Sequence, residues 1–192
     1  MIAVMTKLIG FSGSLRKGSF NAALLRAAAQ AMPDGASLGI GTIQGIPLYN
    51  FDDEEATGVP PAVATLKDAI AASDGLLIVT PEYNNSIPGV TKNAIDWLSR
   101  PPADAARIFA NRPVAIMGAS PGGFGTILSQ NAWLPVLSTL GACHWTGGRL
   151  MVSRAHTLID ANGDLIDEAM KAQIKKFMAG FVEFVRLAKK TV

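Results

Sequence analysis

Residues 9–21 read IGFSGSLRKGSFN, with three serines, two cations and an asparagine among glycines. An apolar run leads into this stretch, and a segment rich in alanine and leucine follows it. The pattern predicts a β-strand, a polar loop and the start of an α-helix. The first N–H groups of a helix lack intrahelical partners, and the helix dipole adds about half a positive charge there. The stretch therefore predicts an anion site, and phosphate is the anion that such sites commonly bind.

Four side chains in this stretch are candidates for holding a phosphate. Ser14, Ser19 and Asn21 can donate neutral hydrogen bonds, and Arg16 can donate a charge-assisted one. The alternative is a glycine turn followed by a helix that Asn21 or Ser19 caps. A cap alone does not need a guanidinium and three hydroxyls, so we favour the phosphate site.

The spacing of the glycines narrows the ligand. Gly13 and Gly18 stand four residues apart, as in a nucleoside-triphosphate loop, but Ser19 occupies the position where that motif requires lysine. The G-x-G-x-x-G fingerprint of dinucleotide sites is absent, and no acidic residue closes the next strand. A terminal monophosphate held by hydroxyls and one guanidinium remains, which suits FMN.

Composition indicates a compact globular protein. The 192 residues are 49% hydrophobic and 17% charged, with a net charge of +2, which does not favour nucleic-acid binding. We predict a single domain over residues 1–192. The sequence has no apolar run of about 18 residues and no signal-like N-terminus, so we expect a cytoplasmic protein.

The remaining reactive side chains do not form a motif. Cys143 lies in the apolar sequence LGACHW, which predicts a buried structural thiol rather than a nucleophile. His144 and His156 are the only histidines and have no cluster of metal-ligating residues around them, so we expect no metal site.

Strand-like and helix-like segments alternate along the whole chain, which predicts an α/β fold. Strands are expected near residues 7–11, 37–43, 75–80, 112–117 and 142–150, and helices near 21–32, after 60–61, after 88, over 126–140 and around 170–185. The segment GLLIVT at 75–80 has no polar alternation, as expected of a parallel strand buried on both faces. We therefore place it at the centre of a five-stranded parallel sheet.

Two further polar loops follow strands. PEYNNSIPGVTKNAIDWLSR (81–100) comes after the third strand, and GASPGGFG (118–125) after the fourth. Open α/β sheets bind ligands at the carboxyl ends of their strands. With the strand order 2-1-3-4-5, these loops converge on the first one, which would hold the phosphate while the other two flank a flat ring.

The segments GSLRKGSFN and PEYNNSIPGVTKNAIDWLSR together resemble the NADPH-dependent FMN reductase family, and within it the bacterial quinone, chromate and azo-dye reductases. The resemblance extends from about Thr6 to Lys190 and implies a flavodoxin-like three-layer sandwich. Two departures concern Thr91, where leucine is commoner, and the sequence of residues 120–125. These put the substrate in question and not the cofactor.

The resemblance also implies roles for particular residues. Ser14, Arg16, Ser19 and Asn21 would hold the FMN phosphate. Pro81, Glu82, Tyr83 and Asn84 would border the ribityl chain and the isoalloxazine ring. Ser120, Gly122 and Gly123 would supply backbone contacts to the ring, since small residues let N–H groups approach its N1/O2 edge.

Each of these assignments has a plainer alternative. Glu82 can be an exposed loop carboxylate or part of a subunit contact, and Tyr83 a wall of the ring site rather than a proton donor. Trp97 is expected in the core or at a dimer contact, and Lys92 and Asn93 as caps or interface pairs. Because hydride transfer to a flavin needs no acid or base from the protein, we assign no catalytic side chain.

Two functional classes remain open at this stage. The first is an enzyme that takes a hydride from NADPH or NADH onto FMN and reduces a quinone, azo compound, nitroaromatic, chromate or free flavin by a two-electron, ping-pong mechanism. The second is a flavodoxin-type electron carrier serving a redox partner protein. Such carriers are usually strongly acidic, so the net charge of +2 favours the enzyme. The resemblance further implies a homodimer or homotetramer.

Overall fold

The computed structural model describes residues 5–190 as a parallel β-sheet with helices on both faces. The strands are β1 (Thr6–Ser12), β2 (Ala36–Gly41), β3 (Gly75–Val79), β4 (Pro113–Ala119), β5 (Cys143–His144) and β6 (Leu150–Val152). Their order is β2-β1-β3-β4-β5, and β6 also pairs with β4. The predicted order 2-1-3-4-5 and the predicted flavodoxin-like layout are therefore confirmed.

The sheet differs from the prediction at one edge, because it has six strands rather than five. Residues 145–149 leave the sheet between β5, which pairs with the start of β4, and β6, which pairs with its end. Trp145 packs its ring against Phe177 and Phe181, with centroids 5.0 and 5.7 Å away. Burial of this large aromatic side chain favours the excursion, which interrupts the predicted strand 142–150.

Seven α-helices surround the sheet in the described part of the chain. They are α1 (Phe20–Gln30), α2 (Phe51–Thr57), α3 (Pro61–Ala71), α4 (Gly89–Leu98), α5 (Pro102–Phe109), α6 (Ile127–Thr139) and α7 (Glu168–Lys190). Helices α2 and α5 were not predicted. Helix α2 buries no residue and has no apolar stripe, so the acidic segment read as a loop. Its start is capped by Asn50, whose side chain accepts from the N–H of Asp52.

The central strands alternate between two apolar cores. In β3, Leu77 and Val79 belong to the core under α1 and α7, whereas Leu76 and Ile78 belong to the core under α3 to α6. All five residues of β3 are buried, as predicted for a central strand. Trp97 is 1% exposed and lies in the second core. The two cores hold the strand ends that carry the polar loops.

Cys143 departs from the prediction, because its side chain is exposed. It lies in the two-residue edge strand β5, where a neighbouring strand covers only one side. An apolar neighbourhood in the sequence therefore did not bury it. In the same part of the chain, residues 5–190, no helix is long and apolar enough to cross a lipid bilayer.

Candidate functional site

Three loops meet at the carboxyl edge of the sheet. They are the phosphate loop (residues 13–19), the hairpin loop (80–88) and the glycine loop (120–126). Each is held at its first residue by one backbone hydrogen bond to a neighbouring strand. The bonds run from Gly13 N–H to the Val79 carbonyl (2.8 Å), from Thr80 N–H to Met117 (2.9 Å) and from Ser120 N–H to Val152 (2.9 Å). The expected convergence of the three loops is thus observed.

The phosphate loop ends at the capped start of α1. Ser19 is the N-cap, and its hydroxyl oxygen accepts from the N–H of Ala22. Of the two caps that the sequence allowed, the structure therefore has Ser19. Within residues 5–190, the backbone N–H groups of Phe20 and Asn21 have no hydrogen-bond partner. These free donors at the positive end of a helix fit an anion, and the Ser19 hydroxyl proton can still be donated.

Arg16 lies exposed in the same loop. Its guanidinium is 4.9 Å from the centroid of the Phe20 ring, a cation–π distance. It forms no ion pair with any residue of the described chain, 5–190. Ser14 turns its hydroxyl oxygen back to the N–H of Arg16, at 3.3 Å. The loop therefore presents one uncompensated positive charge beside the free N–H groups.

The Asn21 side chain is used inside the protein. It is 3% exposed, its amide donates to the carbonyl of Ala119 at 2.8 Å, and its oxygen accepts from the N–H of Ala119 at 2.9 Å. Both hydrogen bonds join the start of α1 to the end of β4. The interpretation of this side chain as a phosphate ligand therefore changes, and only the backbone N–H of Asn21 faces the phosphate loop's free donors.

Thr91, the first departure from the family pattern, has a definite place. This residue of α4 is fully buried, and its hydroxyl donates to the carbonyl of Gly13 at 2.9 Å. A Cβ on Gly13 would come within 2.4 Å of the Thr91 hydroxyl, so this approach needs glycine. Thr91 thus fastens the first residue of the phosphate loop to a helix on the other side of the site.

The hairpin loop contains a tight two-residue turn. Tyr83 and Ser86 exchange backbone hydrogen bonds of 3.2 and 3.0 Å, and Asn84 and Asn85 between them have φ angles of 51° and 59°. Positive φ at both central positions defines a type I′ turn, in which asparagine is tolerated. The turn leaves the Tyr83 side chain 48% exposed.

Glu82 has a role that neither alternative in the sequence anticipated. One carboxylate oxygen accepts from the N–H of Leu128 at 2.8 Å and from the N–H of Ser129 at 3.0 Å. These are first-turn donors of α6, whose own N-cap residue, Thr126, makes no capping bond. A carboxylate at this position satisfies the helix start and complements its dipole. Glu82 thereby ties the hairpin loop to the segment after the glycine loop.

The glycine loop is attached by its backbone to the segment after β6. Ser120 and Gly122 accept at their carbonyls from the N–H groups of Ala155 and Arg154, both at 3.0 Å. Gly125 has a φ of 62°, and a Cβ there would lie 2.7 Å from the carbonyl oxygen of Met151. Phe124, between these fixed points, is 85% exposed.

A second polar cluster fixes the loop before α2 to helix α4. Glu54 accepts from the Tyr49 hydroxyl at 2.8 Å and from Arg100 at 2.9 Å. Burial raises the pKa of Tyr49, and its hydrogen bond to Glu54 raises that pKa further. Burial acts upward on Glu54 too, but the hydrogen bonds from Arg100 and Tyr49 outweigh it and lower the pKa of that carboxyl. The cluster is a structural clamp.

Lys92 and Asn93, which were expected as caps or interface pairs, have partners within the chain. Lys92 forms an ion pair with Asp96 at 2.6 Å, one turn along α4. The Asn93 side chain accepts from the N–H of Tyr49 and donates to the carbonyl of Pro47, each at 2.8 Å. Both residues therefore serve to position α4 and the loop that precedes α2.

The histidines lie apart from the three loops' bonded residues. His144 is half-buried in β5, and burial lowers its pKa. His156 is exposed in a single 3-10 turn, Ala155–Thr157. Among residues 5–190, no three His, Cys, Asp or Glu side chains come together as metal ligands would.

Sequence reasoning missed two contributors to this site. The roles of Thr91 and Phe124 depend on partners or exposure that no local pattern encodes. The sequence offered one signal for Phe124, because an aromatic residue among glycines in a loop is not expected to serve the core.

The fold and the phosphate loop together define a flavodoxin-like protein whose site fits a flavin monophosphate: free helix-start donors and an unpaired arginine meet the phosphate, and two short loops border an open space for the ring. The model of one protein family, NADPH-dependent FMN reductase, matches residues 6–157. The chain belongs to this family. It is an oxidoreductase, with FMN as bound cofactor and NAD(P)H as hydride donor.

Relatives agree over nearly their full lengths. The chain is 43% identical over 180 residues to the NAD(P)H-dependent FMN reductase of Pseudomonas aeruginosa, covering 94% of this chain and 95% of that protein. It is 38% identical over 174 residues to the 2-hydroxy-1,4-benzoquinone reductase of a Burkholderia species, covering 91% and 93%. Among solved structures, FerB, the flavoenzyme NAD(P)H:(acceptor) oxidoreductase of Paracoccus denitrificans, superposes with a TM-score of 0.84 at 32% identity, over 96% of this chain and 99% of that one.

Proposed function

We propose that this chain reduces quinones with NAD(P)H, and that azo compounds, chromate and free flavin belong to a wider set of acceptors. When bound, FMN takes a hydride from NAD(P)H and passes two electrons to the acceptor. With a quinone, the hydride and one proton from solvent yield the hydroquinone and NAD(P)⁺. The observation that carries the proposal is the open space between the hairpin and glycine loops, next to a phosphate loop with an unpaired arginine.

The phosphate would be held by Ser14, Arg16 and Ser19 with the backbone N–H groups of Phe20 and Asn21. The Asn21 side chain would act by keeping α1 against Ala119. Charge-assisted bonds from Arg16 are the strongest of this set, because phosphate carries the compensating charge.

The ring and the ribityl chain would lie between the two other loops. Pro81, Glu82, Tyr83 and Asn84 would border them on one side, chiefly through backbone groups, since the Glu82 carboxylate is used by α6. Ser120, Gly122 and Gly123 would approach from the other side. A Cβ on Gly123 would meet nothing within 4 Å, so its N–H is open to a ligand.

No side chain of this chain is proposed as an acid or base. The nicotinamide and the acceptor would use the same open space in turn, which predicts ping-pong kinetics. The electron-carrier alternative is less well supported, because the net charge is +2 and such carriers dock through strong negative charge.

The test is kinetic. Stoichiometric NADPH, added anaerobically to the FMN-loaded protein, should bleach the flavin spectrum within the turnover time. Double-reciprocal plots for NADPH at several quinone concentrations should be parallel. Intersecting lines would indicate a ternary complex, and failure of both NADPH and NADH to bleach the flavin would favour the carrier.

We further propose that the chain assembles as a homodimer or homotetramer. Helix α6 is apolar around its circumference, and Ile127, Leu128 and Leu134 are 38%, 45% and 43% exposed. A groove of about 400 Å³ lies between α4 and α6. A second copy covering this face would also wall the open side of the flavin site.

Sedimentation at low micromolar concentration tests the assembly. A 20.1 kDa species with full reductase activity would contradict it. Cytoplasmic location is part of the same proposal, since NAD(P)H is an intracellular reductant.

A further inference from the structure

We propose that Phe124 forms the acceptor-facing wall of the site and favours flat aromatic acceptors over inorganic ones. The inference rests on the proposed quinone reductase function and names the residue that biases it. Nothing in the fold requires a phenyl ring at this position, because Phe124 is 85% exposed and belongs to neither apolar core.

The backbone on both sides of Phe124 is fixed. On the N-terminal side, the carbonyl of Gly122 accepts from the N–H of Arg154 at 3.0 Å. On the C-terminal side, Gly125 adopts its φ of 62° against the Met151 backbone, where no other residue type fits without displacement. An exposed ring on a fixed backbone loses little conformational freedom on binding, which favours its use as a contact surface.

The position of the loop directs Phe124 to the flavin site. Glu82 binds the N–H groups of Leu128 and Ser129, which follow Phe124 by four and five residues. Tyr83, next to Glu82, is itself 48% exposed. Two exposed aromatic side chains thus stand on adjoining loops at the same edge of the sheet, on either side of the space proposed for the ring and its acceptor.

A quinone offers an aromatic-sized face to such a wall, and ferricyanide or chromate does not. Offset or edge-to-face contacts between rings strengthen binding by about three- to tenfold beyond simple burial. Phe124 should therefore change the preference between acceptors more than it changes the chemistry common to them.

The experiment compares Phe124→Ala, Phe124→Leu and Phe124→Tyr with the parent, each loaded with FMN. Steady-state kcat/KM is measured for 1,4-naphthoquinone and for ferricyanide, of which two ions are reduced per NADPH. We expect the naphthoquinone-to-ferricyanide ratio to fall about three- to tenfold in Phe124→Ala, to fall less in Phe124→Leu, and to be retained in Phe124→Tyr. The control is Ile40→Ala, which removes a 54% exposed apolar side chain from the edge strand β2.

A binding measurement independent of turnover accompanies the kinetics. Titration of the oxidised, FMN-loaded protein with 1-naphthol, which the enzyme cannot reduce, should show a dissociation constant about three- to tenfold weaker in Phe124→Ala. FMN affinity and sedimentation are recorded for every variant.

Three results would overturn the inference. An unchanged acceptor ratio in Phe124→Ala would exclude a specificity role. A loss of FMN affinity with no change in the ratio would assign Phe124 to the cofactor, and dissociation of the assembly with no change in the ratio would assign it to the subunit contact. If the parent protein itself fails to oxidise NADPH with naphthoquinone, the proposed function fails, which is a separate outcome.

Discussion

The side-chain amide of Asn21 forms hydrogen bonds with both backbone groups of Ala119, at 2.8 and 2.9 Å, across 98 residues of sequence. Asn21 lies in the first turn of α1 and Ala119 is the last residue of β4. The pair is buried, so water does not compete for it. It sets the distance between the phosphate loop and the glycine loop.

Replacement of Asn21 by alanine should leave the N–H and carbonyl of Ala119 without partners. We expect a loss of about 2–4 kcal/mol in the free energy of unfolding, the sum for two unpaired buried groups, together with weaker FMN binding. Urea unfolding of the apo-protein measures the first effect. Gln30→Ala, which removes an exposed amide from the same helix, should change stability by less than about 0.5 kcal/mol. Equal losses in both variants would contradict the assigned role.

Thr91 should matter for the phosphate loop through its hydroxyl alone. Thr91→Val keeps the shape but leaves the carbonyl of Gly13 unpaired, and we expect it to cost about 1–3 kcal/mol of stability and to weaken FMN. Thr91→Ser keeps the hydrogen bond and should retain FMN affinity. If the serine variant binds FMN as poorly as the valine variant, the methyl group, and not the hydroxyl, is what the site requires.

Arg16→Ala tests the phosphate contact. FMN should bind more weakly by roughly 1.5–3 kcal/mol, the range for a hydrogen bond to a charged group. Riboflavin lacks the phosphate and should bind almost equally to parent and variant, as measured by quenching of flavin fluorescence. Lys17→Ala removes the neighbouring cation and serves as the matched control. A similar loss for both ligands would show that Arg16 acts on something other than the phosphate.

Glu82→Ala should destabilise the start of α6. We expect a cost of about 1–2 kcal/mol from the lost cap, and roughly half of it for Glu82→Gln, which keeps an acceptor oxygen without the charge. Turnover of the folded, FMN-loaded variants should stay within about tenfold of the parent. Glu183→Ala, an exposed carboxylate on α7, is the stability control. A loss of turnover of about 10³-fold would reveal a missed catalytic group.

His144 should make the protein less stable in weak acid. Burial lowers its pKa below the ordinary value of 6.5, so between these two pKa values the unfolded chain binds more protons than the folded one. The stability contributed by neutral His144 is therefore present above about pH 6.5 and decreases as the pH falls through the lowered pKa. His144→Gln should reduce the difference in unfolding free energy between pH 7.5 and 5.5.

The exposed His156, replaced by glutamine, is the control for that measurement and should leave the pH difference as in the parent. Both variants should keep turnover within about tenfold, since neither histidine contacts the three loops through a side-chain bond in the described structure. A steeper pH dependence in His144→Gln would reverse the sign of the argument.

Local patterns in the sequence were sufficient for the framework of this protein. The uniformly apolar segment Gly75–Val79 identified the central strand, because only a parallel strand covered on both faces lacks polar alternation. The Gly/Ser loop before an alanine-rich helix identified the phosphate site, because helix-start N–H groups and a cap are encoded within a few residues. Strand order followed from the alternation of elements and the placement of the loops.

Tertiary structure alone decided which polar side chains face the ligand and which are used by the protein itself. Asn21 and Glu82 both occur in motif segments, yet their side chains bind Ala119 and the start of α6, partners 98 and at least 46 residues away. The same holds for Thr91 with Gly13, and for the exposure of Cys143 on an edge strand. Hydrophobic period and capping are properties of neighbouring residues, whereas a buried hydrogen-bond partner is set by long-range packing, which no local pattern contains.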